Sequence, residues 1–211
     1  MTPQLDHIVL GCARLDRGAD ALRDRLGVTL PDGGQHPAMS THNRLTRLGE
    51  AAYFELIAVD PEAPDPGRPR WFSLDDPGTQ ARLAARPRAL CWVVAVDDLE
   101  AVVARSPVDL GEVLSLSRGD LTWRLTVPRD GHLPEGGLLP AFIEWPGGRS
   151  PASRLPDQGL NLTAIHLRHP APEGFGQTLE ALGLLPLVQL HSGPRALSFE
   201  IESPTGPVTL D

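Results

Sequence analysis

The chain has 211 residues, of which 41% are hydrophobic and 22% are charged, a composition typical of a globular protein with a sizeable core. Its formal net charge of −8 argues against a nucleic acid partner, because an acidic surface repels a phosphate backbone. No lysine occurs among the 19 basic residues, which excludes lysine Schiff-base chemistry and the lysine of a phosphate-binding loop.

Residues 1–4 carry no basic charge and lead directly into a strand pattern, which argues against a signal peptide. No apolar run reaches the length of a membrane span, so we expect a cytoplasmic protein without a membrane partner. Cys12 and Cys91 each lie beside an apolar run. We interpret them as buried reduced thiols rather than as a disulfide or a nucleophile.

The first part of the chain predicts a strand at residues 5–11, followed by a helix. Leu22 and Leu26 recur at helical spacing before Gly27, which suits a helix C-cap. Two further strands are predicted at 41–48 and 52–59, joined by a turn. A Pro/Gly-rich loop and a short helix complete this part, at residues 60–69 and 79–85.

The same succession of elements then restarts twice. The second unit has a strand, a helix and three strands, at residues 89–96, 97–105, 112–116, 122–127 and 141–145. The third follows a Pro/Gly/Ser-rich stretch with the same succession, at residues 162–167, 173–182, 187–190, 196–201 and 208–210. We therefore predict an internal repeat with units at 1–88, 89–150 and 151–211.

The predicted fold class is α+β, built from repeated βαβββ units. One unit alone gives a small, mostly antiparallel sheet with a helix on one face and an uncovered edge. Two units placed edge to edge form a curved sheet around a cavity, with the helices outside. The shorter third unit is predicted to complete the sheet or to form a homodimer, since an odd number of units leaves one edge unpaired.

Glu55 is the side chain that most needs an explanation. Along a strand at 52–59 it shares a face with Tyr53, Ile57 and Val59, which are otherwise apolar or aromatic. A carboxylate in such a face is costly to remove from water and normally has a partner. The partner is a metal ion, a basic side chain or a proton.

The repeated units, with a histidine on a first strand and a glutamate on a last strand, resemble the vicinal oxygen chelate superfamily. This superfamily includes glyoxalase I, extradiol dioxygenases and bleomycin-resistance proteins. A more specific similarity covers most of residues 5–145 and is carried by the motifs Leu5-Asp6-His7-Ile8-Val9, Gln35-His36-Pro37, Thr41-His42-Asn43, Tyr53-Phe54-Glu55-Leu56, Thr122-Trp123-Arg124-Leu125 and Leu138-Leu139-Pro140-Ala141-Phe142-Ile143-Glu144-Trp145. In these motifs the sequence resembles the glyoxalase-like domain family.

This resemblance implies a metal ion inside the sheet, held by residues on the first and last strands of two units. The first unit supplies His7 and Glu55, and the second supplies Glu144. The position that matches His7 in the second unit is Trp92 in our alignment of the repeats, so one expected ligand is missing. One nitrogen and two carboxylates suit Zn, Mn, Ni or Co. The alternative is a metal-free polar network in which His7 is a core histidine.

The candidate substrate-binding residues are His42, Asn43, Arg124 and Trp92. His42 and Asn43 are neighbours on one strand, so at most one of them points into the cavity. Arg124 either faces the cavity and holds a carboxylate or phosphate, or lies exposed on the wet face of the sheet. Trp92 either forms an aromatic wall of the cavity or packs in the core.

Two functions are consistent with these residues. The first is a divalent-metal-dependent lyase or isomerase acting on a small oxygen-rich carbonyl substrate, with metal polarisation of the carbonyl and with Glu55 or Glu144 as general base. The second is a metal-free protein that binds or sequesters a small molecule in the same cavity, as bleomycin-resistance proteins do.

Overall fold

The computed structural model describes residues 2–148 and 150–211. Within that part of the chain, twelve strands alternate with four α-helices in the order β1 (Gln4–Gly11), α1 (Leu15–Leu26), β2 (Asp32–His36), β3 (Thr41–Leu48), β4 (Ala52–Val59), α2 (Pro77–Ala85), β5 (Arg88–Ala95), α3 (Leu99–Arg105), β6 (Glu112–Arg118), β7 (Leu121–Val127), β8 (Ala141–Glu144), β9 (Asn161–His169), α4 (Pro172–Ala181), β10 (Gln189–Ser192), β11 (Ala196–Ser203) and β12 (Gly206–Leu210).

The first eight strands form one curved sheet in the order β2-β3-β4-β1-β5-β8-β7-β6. Strand β1 pairs in parallel with β4, strand β5 pairs in parallel with β8, and β1 and β5 join the two halves as an antiparallel pair. Each half therefore has the same strand order, counted outward from the central pair. The predicted α+β fold, with two units side by side in one curved sheet, is confirmed.

Helices α1 and α3 cover the outer face of this sheet, as expected for amphipathic helices whose apolar stripe must be buried. In α1, Leu22 and Leu26 are fully buried at the predicted helical spacing. Gly27 ends the helix with φ at 69°, and its N–H donates to the Arg23 carbonyl. Because side chains alternate along each strand, every second residue points to the opposite, concave face of the sheet, which encloses the interior.

The third unit forms its own four-stranded sheet in the order β10-β9-β11-β12. Its succession of elements repeats the pattern, but its strand order does not: β9 pairs in parallel with β10, the strand directly after the helix, whereas β1 pairs with the last strand of its unit. Leu167 and Phe199 on its apolar face pack into the same core as α1 and the outer face of the large sheet. The expectation that this unit completes the large sheet is therefore wrong.

Cys12 and Cys91 are both buried and free, in agreement with the expectation of reduced thiols. In the part of the chain that the structure describes, no helix combines the length and the apolar character needed to cross a membrane.

Candidate active site in the sheet interior

A row of polar side chains lies on the concave face of the large sheet. His7 and Glu55 come from the parallel neighbours β1 and β4, and Asn43 comes from β3, the next strand along. All three are nearly inaccessible to solvent. They face inward because each shares strand parity with apolar residues of the interior, such as Val9 and Ile57.

His7 is held from two sides. Its Nδ1 lies 2.7 Å from Asp6 Oδ1, and Trp145 Nε1 donates to the other Asp6 oxygen at 2.8 Å. Neighbouring residues on a strand normally face opposite sides, but the register between β1 and β5 slips at Asp6, which forms a β-bulge and turns inward. Tyr53 stacks on the imidazole, with the ring centroids 4.3 Å apart.

Glu55 is likewise bonded at both oxygens. Asn43 Nδ2 donates to Oε1 at 2.5 Å, and Oε2 lies 3.5 Å from His7 Nε2. Burial alone would lower the pKa of His7, but the hydrogen bonds and charges of Asp6 and Glu55 outweigh it and raise the pKa to about 9. Burial opposes the ionisation of Glu55, yet His7 and Asn43 lower its pKa to about 2. Both residues are therefore charged at neutral pH.

The row continues to His36 and Arg118. Arg118 Nη1 donates to Asn43 Oδ1 at 3.0 Å and lies 3.5 Å from His36 Nε2. His36 also lies 3.0 Å from Thr41 Oγ1 through Nδ1. Burial lowers the pKa of His36 to about 4, so this imidazole is neutral near pH 7.

These side chains surround a cavity of about 30 Å³. Its remaining walls are aromatic and aliphatic, with Trp71 and Phe72 from the loop before α2, Trp123 from β7 and Trp145 just after β8. At about 10–15 Å³ for one water, the cavity holds two or three water molecules. Its size therefore favours a small ligand over a large one.

Two of the predicted site residues, Trp92 and Glu144, lie on the opposite face of the sheet. Trp92 is fully buried in the outer core, where its Nε1 donates to the Leu138 carbonyl. Glu144 accepts from the Leu99 N–H at the start of α3 at 3.2 Å and pairs with Arg124. The predicted roles of Trp92 as a cavity wall and of Glu144 as metal ligand and general base are therefore wrong.

Both residues are one position away from a neighbour that faces inward, and a shift of one residue along a strand moves a side chain to the other face. Val93, not Trp92, lies directly opposite His7 in the β1–β5 pair. In β8, Ile143 lines the cavity and the next residue, Glu144, points outward. The inward positions of β5 and β8 nearest to His7 are apolar, so the side chains that bond His7 and Glu55 all come from the first unit.

Of the other predicted binding residues, only Asn43 reaches the interior. His42 is its neighbour on β3 and does not line the cavity, as the alternation rule required of one of the two. Arg124 is half-buried on the outer face of the sheet, where it bonds Glu100 and Glu144, so it does not face the cavity as a ligand clamp would.

Several residues of the site were missed in the sequence. Asp6 was overlooked because strict alternation places it on the opposite face from His7. No local sequence pattern indicates the bulge that turns it inward. His36 ends β2, a strand that is absent from the predicted elements, and is buried. Arg118 lies two residues beyond the predicted strand at 112–116, and extending the alternation of Leu114 and Leu116 by two residues places it inside.

The donors present do not fit the metal ion that the resemblance implied. Three protein ligands are usual for a catalytic divalent ion, but only His7 Nε2 and one Glu55 oxygen converge here, and these bond each other. Asn43 Oδ1 is occupied by Arg118 and by the Gly34 N–H. Among residues 2–148 and 150–211, no group of three His, Cys, Asp or Glu side chains is arranged to hold a metal.

Comparison with known proteins decides the family. The model of the glyoxalase-like domain family matches residues 5–183, most of the chain. The chain belongs to this family. The predicted membership of the vicinal oxygen chelate superfamily is confirmed. No curated protein matches this glyoxalase-like domain.

Solved structures resemble this glyoxalase-like domain at low sequence identity. A hypothetical protein from Staphylococcus aureus is 17% identical with a TM-score of 0.62, and the match covers 99% of this chain and 84% of that one. Methylmalonyl-CoA epimerase from Mycobacterium tuberculosis is 23% identical over 67% of this chain and 87% of its own, with a TM-score of 0.42. These likenesses concern the fold alone.

Proposed function

We propose that this glyoxalase-like domain is a metal-independent binding protein that holds a small oxygen-rich carbonyl compound inside the sheet. The observation that carries the proposal is the closed His7–Glu55 pair, in which each partner is also fixed by a second residue, Asp6 or Asn43. Such a pair forms a rigid polar wall, whereas a metal site needs its ligands to point at a common vacant position.

The charges of the pair also favour binding over proton transfer. A general acid or base works best when its pKa lies near the operating pH. The partners of His7 raise its pKa and those of Glu55 lower it, so both pKa values lie far from neutrality. At pH 7 the two groups act as fixed charges.

The competing metal-dependent function is tested by measuring the melting temperature with added metal salts, on protein purified without a nickel column. We expect Zn, Mn, Ni and Co salts to leave the melting temperature unchanged. A metal present at one hundred times its Kd would stabilise the fold by about 2.7 kcal/mol, or roughly 5–10 °C in a chain of this size. A rise of that size, lost in both His7→Gln and Glu55→Gln, would overturn the proposal and restore the lyase or isomerase.

Binding itself has a built-in probe, because three of the four tryptophans line the cavity. We expect pyruvate, a carbonyl compound of six non-hydrogen atoms, to change the tryptophan fluorescence saturably and to raise the melting temperature.

The homodimer and the cytoplasmic location predicted from the sequence are also proposals. Light scattering on a sizing column tests the first.

A further inference from the structure

Arg118 stands out as a cation whose hydrogen-bonding capacity is largely unused. It lies at the end of β6, where the two edge strands β2 and β6 of the curved sheet approach each other. Its side chain crosses this seam and lies against Gly34 on β2. A Cβ atom at Gly34 would come within 2.5 Å of the Arg118 Cδ, so the arginine occupies space that only a glycine leaves open.

Within the described chain, the hydrogen bonds of the Arg118 guanidinium are confined to Nη1, which contacts Asn43 and His36. Among the residues that the structure describes, Nε and Nη2 have no protein partner, and no carboxylate lies within ion-pair distance of Arg118. An arginine fork with free N–H groups matches the two oxygens of a carboxylate.

A second unused donor borders the same cavity. Trp71 is buried, and its indole Nε1–H has no partner in the described part of the molecule. A buried donor without an acceptor costs free energy, which a ligand oxygen would recover. By contrast, both oxygens of Asp6 and both oxygens of Glu55 already have partners, so the two carboxylates of the site need no cationic ligand.

We propose that Arg118 selects a carboxylate anion as the ligand of this cavity, specifically a carboxylate of two or three carbons with a second oxygen on the neighbouring carbon. This inference rests on the proposed binding function and specifies its ligand. The carboxylate bonds the free side of the Arg118 guanidinium, and the adjacent oxygen accepts from a donor of the cavity wall. The small cavity favours an acid of this size over a larger one.

Calorimetric titration with pyruvate and with pyruvamide, its uncharged amide, tests the proposal. We expect wild-type protein to bind pyruvate at least tenfold more tightly than pyruvamide, since hydrogen bonds to charged groups are stronger than neutral ones. Arg118→Gln should weaken pyruvate binding at least tenfold and leave pyruvamide binding nearly unchanged. Arg124→Gln is the matched control, because it removes the same charge from the neighbouring strand on the outer face and should change neither affinity.

The outcomes distinguish a failure of the proposed binding function from a failure of anion selection by Arg118. If wild type binds neither compound, the proposed function and this inference both fall. If wild type binds both equally and Arg118→Gln changes nothing, the binding function stands and the selection of anions is overturned. If Arg118→Gln loses the near-ultraviolet circular dichroism of a folded protein, the titration is repeated with Arg118→Lys instead. That variant keeps the charge but not the fork, so wild-type affinity for pyruvate in Arg118→Lys would refute the role of the guanidinium.

Discussion

At the scale of single residues, the buried His7–Glu55 pair is stable only as a unit. Removing one member of a buried pair leaves the other charged and unpaired, which typically costs about 3–5 kcal/mol. We therefore expect Glu55→Gln to lower the free energy of unfolding by about 3 kcal/mol in urea titrations. Glu200→Gln is the control, because Glu200 is half exposed beside His166 and an exposed pair contributes about 0–1 kcal/mol. Equal losses in the two variants would show that Glu55 is not the critical carboxylate.

The pH dependence of stability reports on His7 separately. Its pKa is raised from 6.5 in the unfolded chain to about 9 in the folded one, so the folded state holds the proton more tightly. The resulting stabilisation is complete below pH 6.5 and is lost as the pH rises through 9. We expect the free energy of unfolding of wild type to fall between pH 6.5 and 8.5, and Asp6→Asn to show a smaller fall because it removes one source of the raised pKa. Parallel pH profiles for the two proteins would contradict this account.

At the scale of elements, Glu144 belongs to the start of α3. Its carboxylate accepts the Leu99 N–H, and Asp98 Oδ1 accepts from Ala101 N–H at 2.9 Å, so the helix terminus has two acceptors. We expect Glu144→Gln to cost about 0.5–1 kcal/mol, in the range of helix caps and partly exposed ion pairs. Pyruvate binding should be unaffected. A loss of pyruvate binding in Glu144→Gln would show that Glu144 belongs to the binding site after all.

The elements themselves were predictable because their patterns are local. Period-two and helical spacings located the helices and nearly all of the strands, and Gly27 marked the end of α1 correctly. The site was less predictable because it depends on which face of the sheet each side chain occupies and on a bulge in β1. Glu55 and Asn43 lie within regular strands, where side-chain alternation predicts which face each occupies. Trp92 was predicted on the wrong face because its position was shifted by one residue in the comparison of the repeats. The bulge at Asp6 arises from pairing between β1 and β5, which no local pattern encodes.

At the scale of the whole molecule, the third unit is part of the same core as the first two. Residues from β9, β11 and α4 join α1, α3 and the outer face of the large sheet in one apolar cluster. The outer face of the large sheet would otherwise expose large apolar side chains such as Ile8 and Trp92, both now fully buried. The third unit therefore stabilises the sheet that carries the site, although only its first residue, Pro151, borders the cavity.

This shared core can be tested because all four tryptophans lie in the first two units, at positions 71, 92, 123 and 145. Tryptophan fluorescence therefore reports the unfolding of the large sheet alone. Phe199 on β11 is fully buried in the shared core, and truncating a buried phenylalanine costs about 3–5 kcal/mol. We expect Phe199→Ala to lower the free energy of unfolding from tryptophan-detected urea titrations by that amount, and Glu202→Ala, exposed on the same strand, to leave it unchanged. An unmoved tryptophan transition in Phe199→Ala, alongside a lower transition by circular dichroism, would mean that the third unit unfolds independently of the sheet it covers.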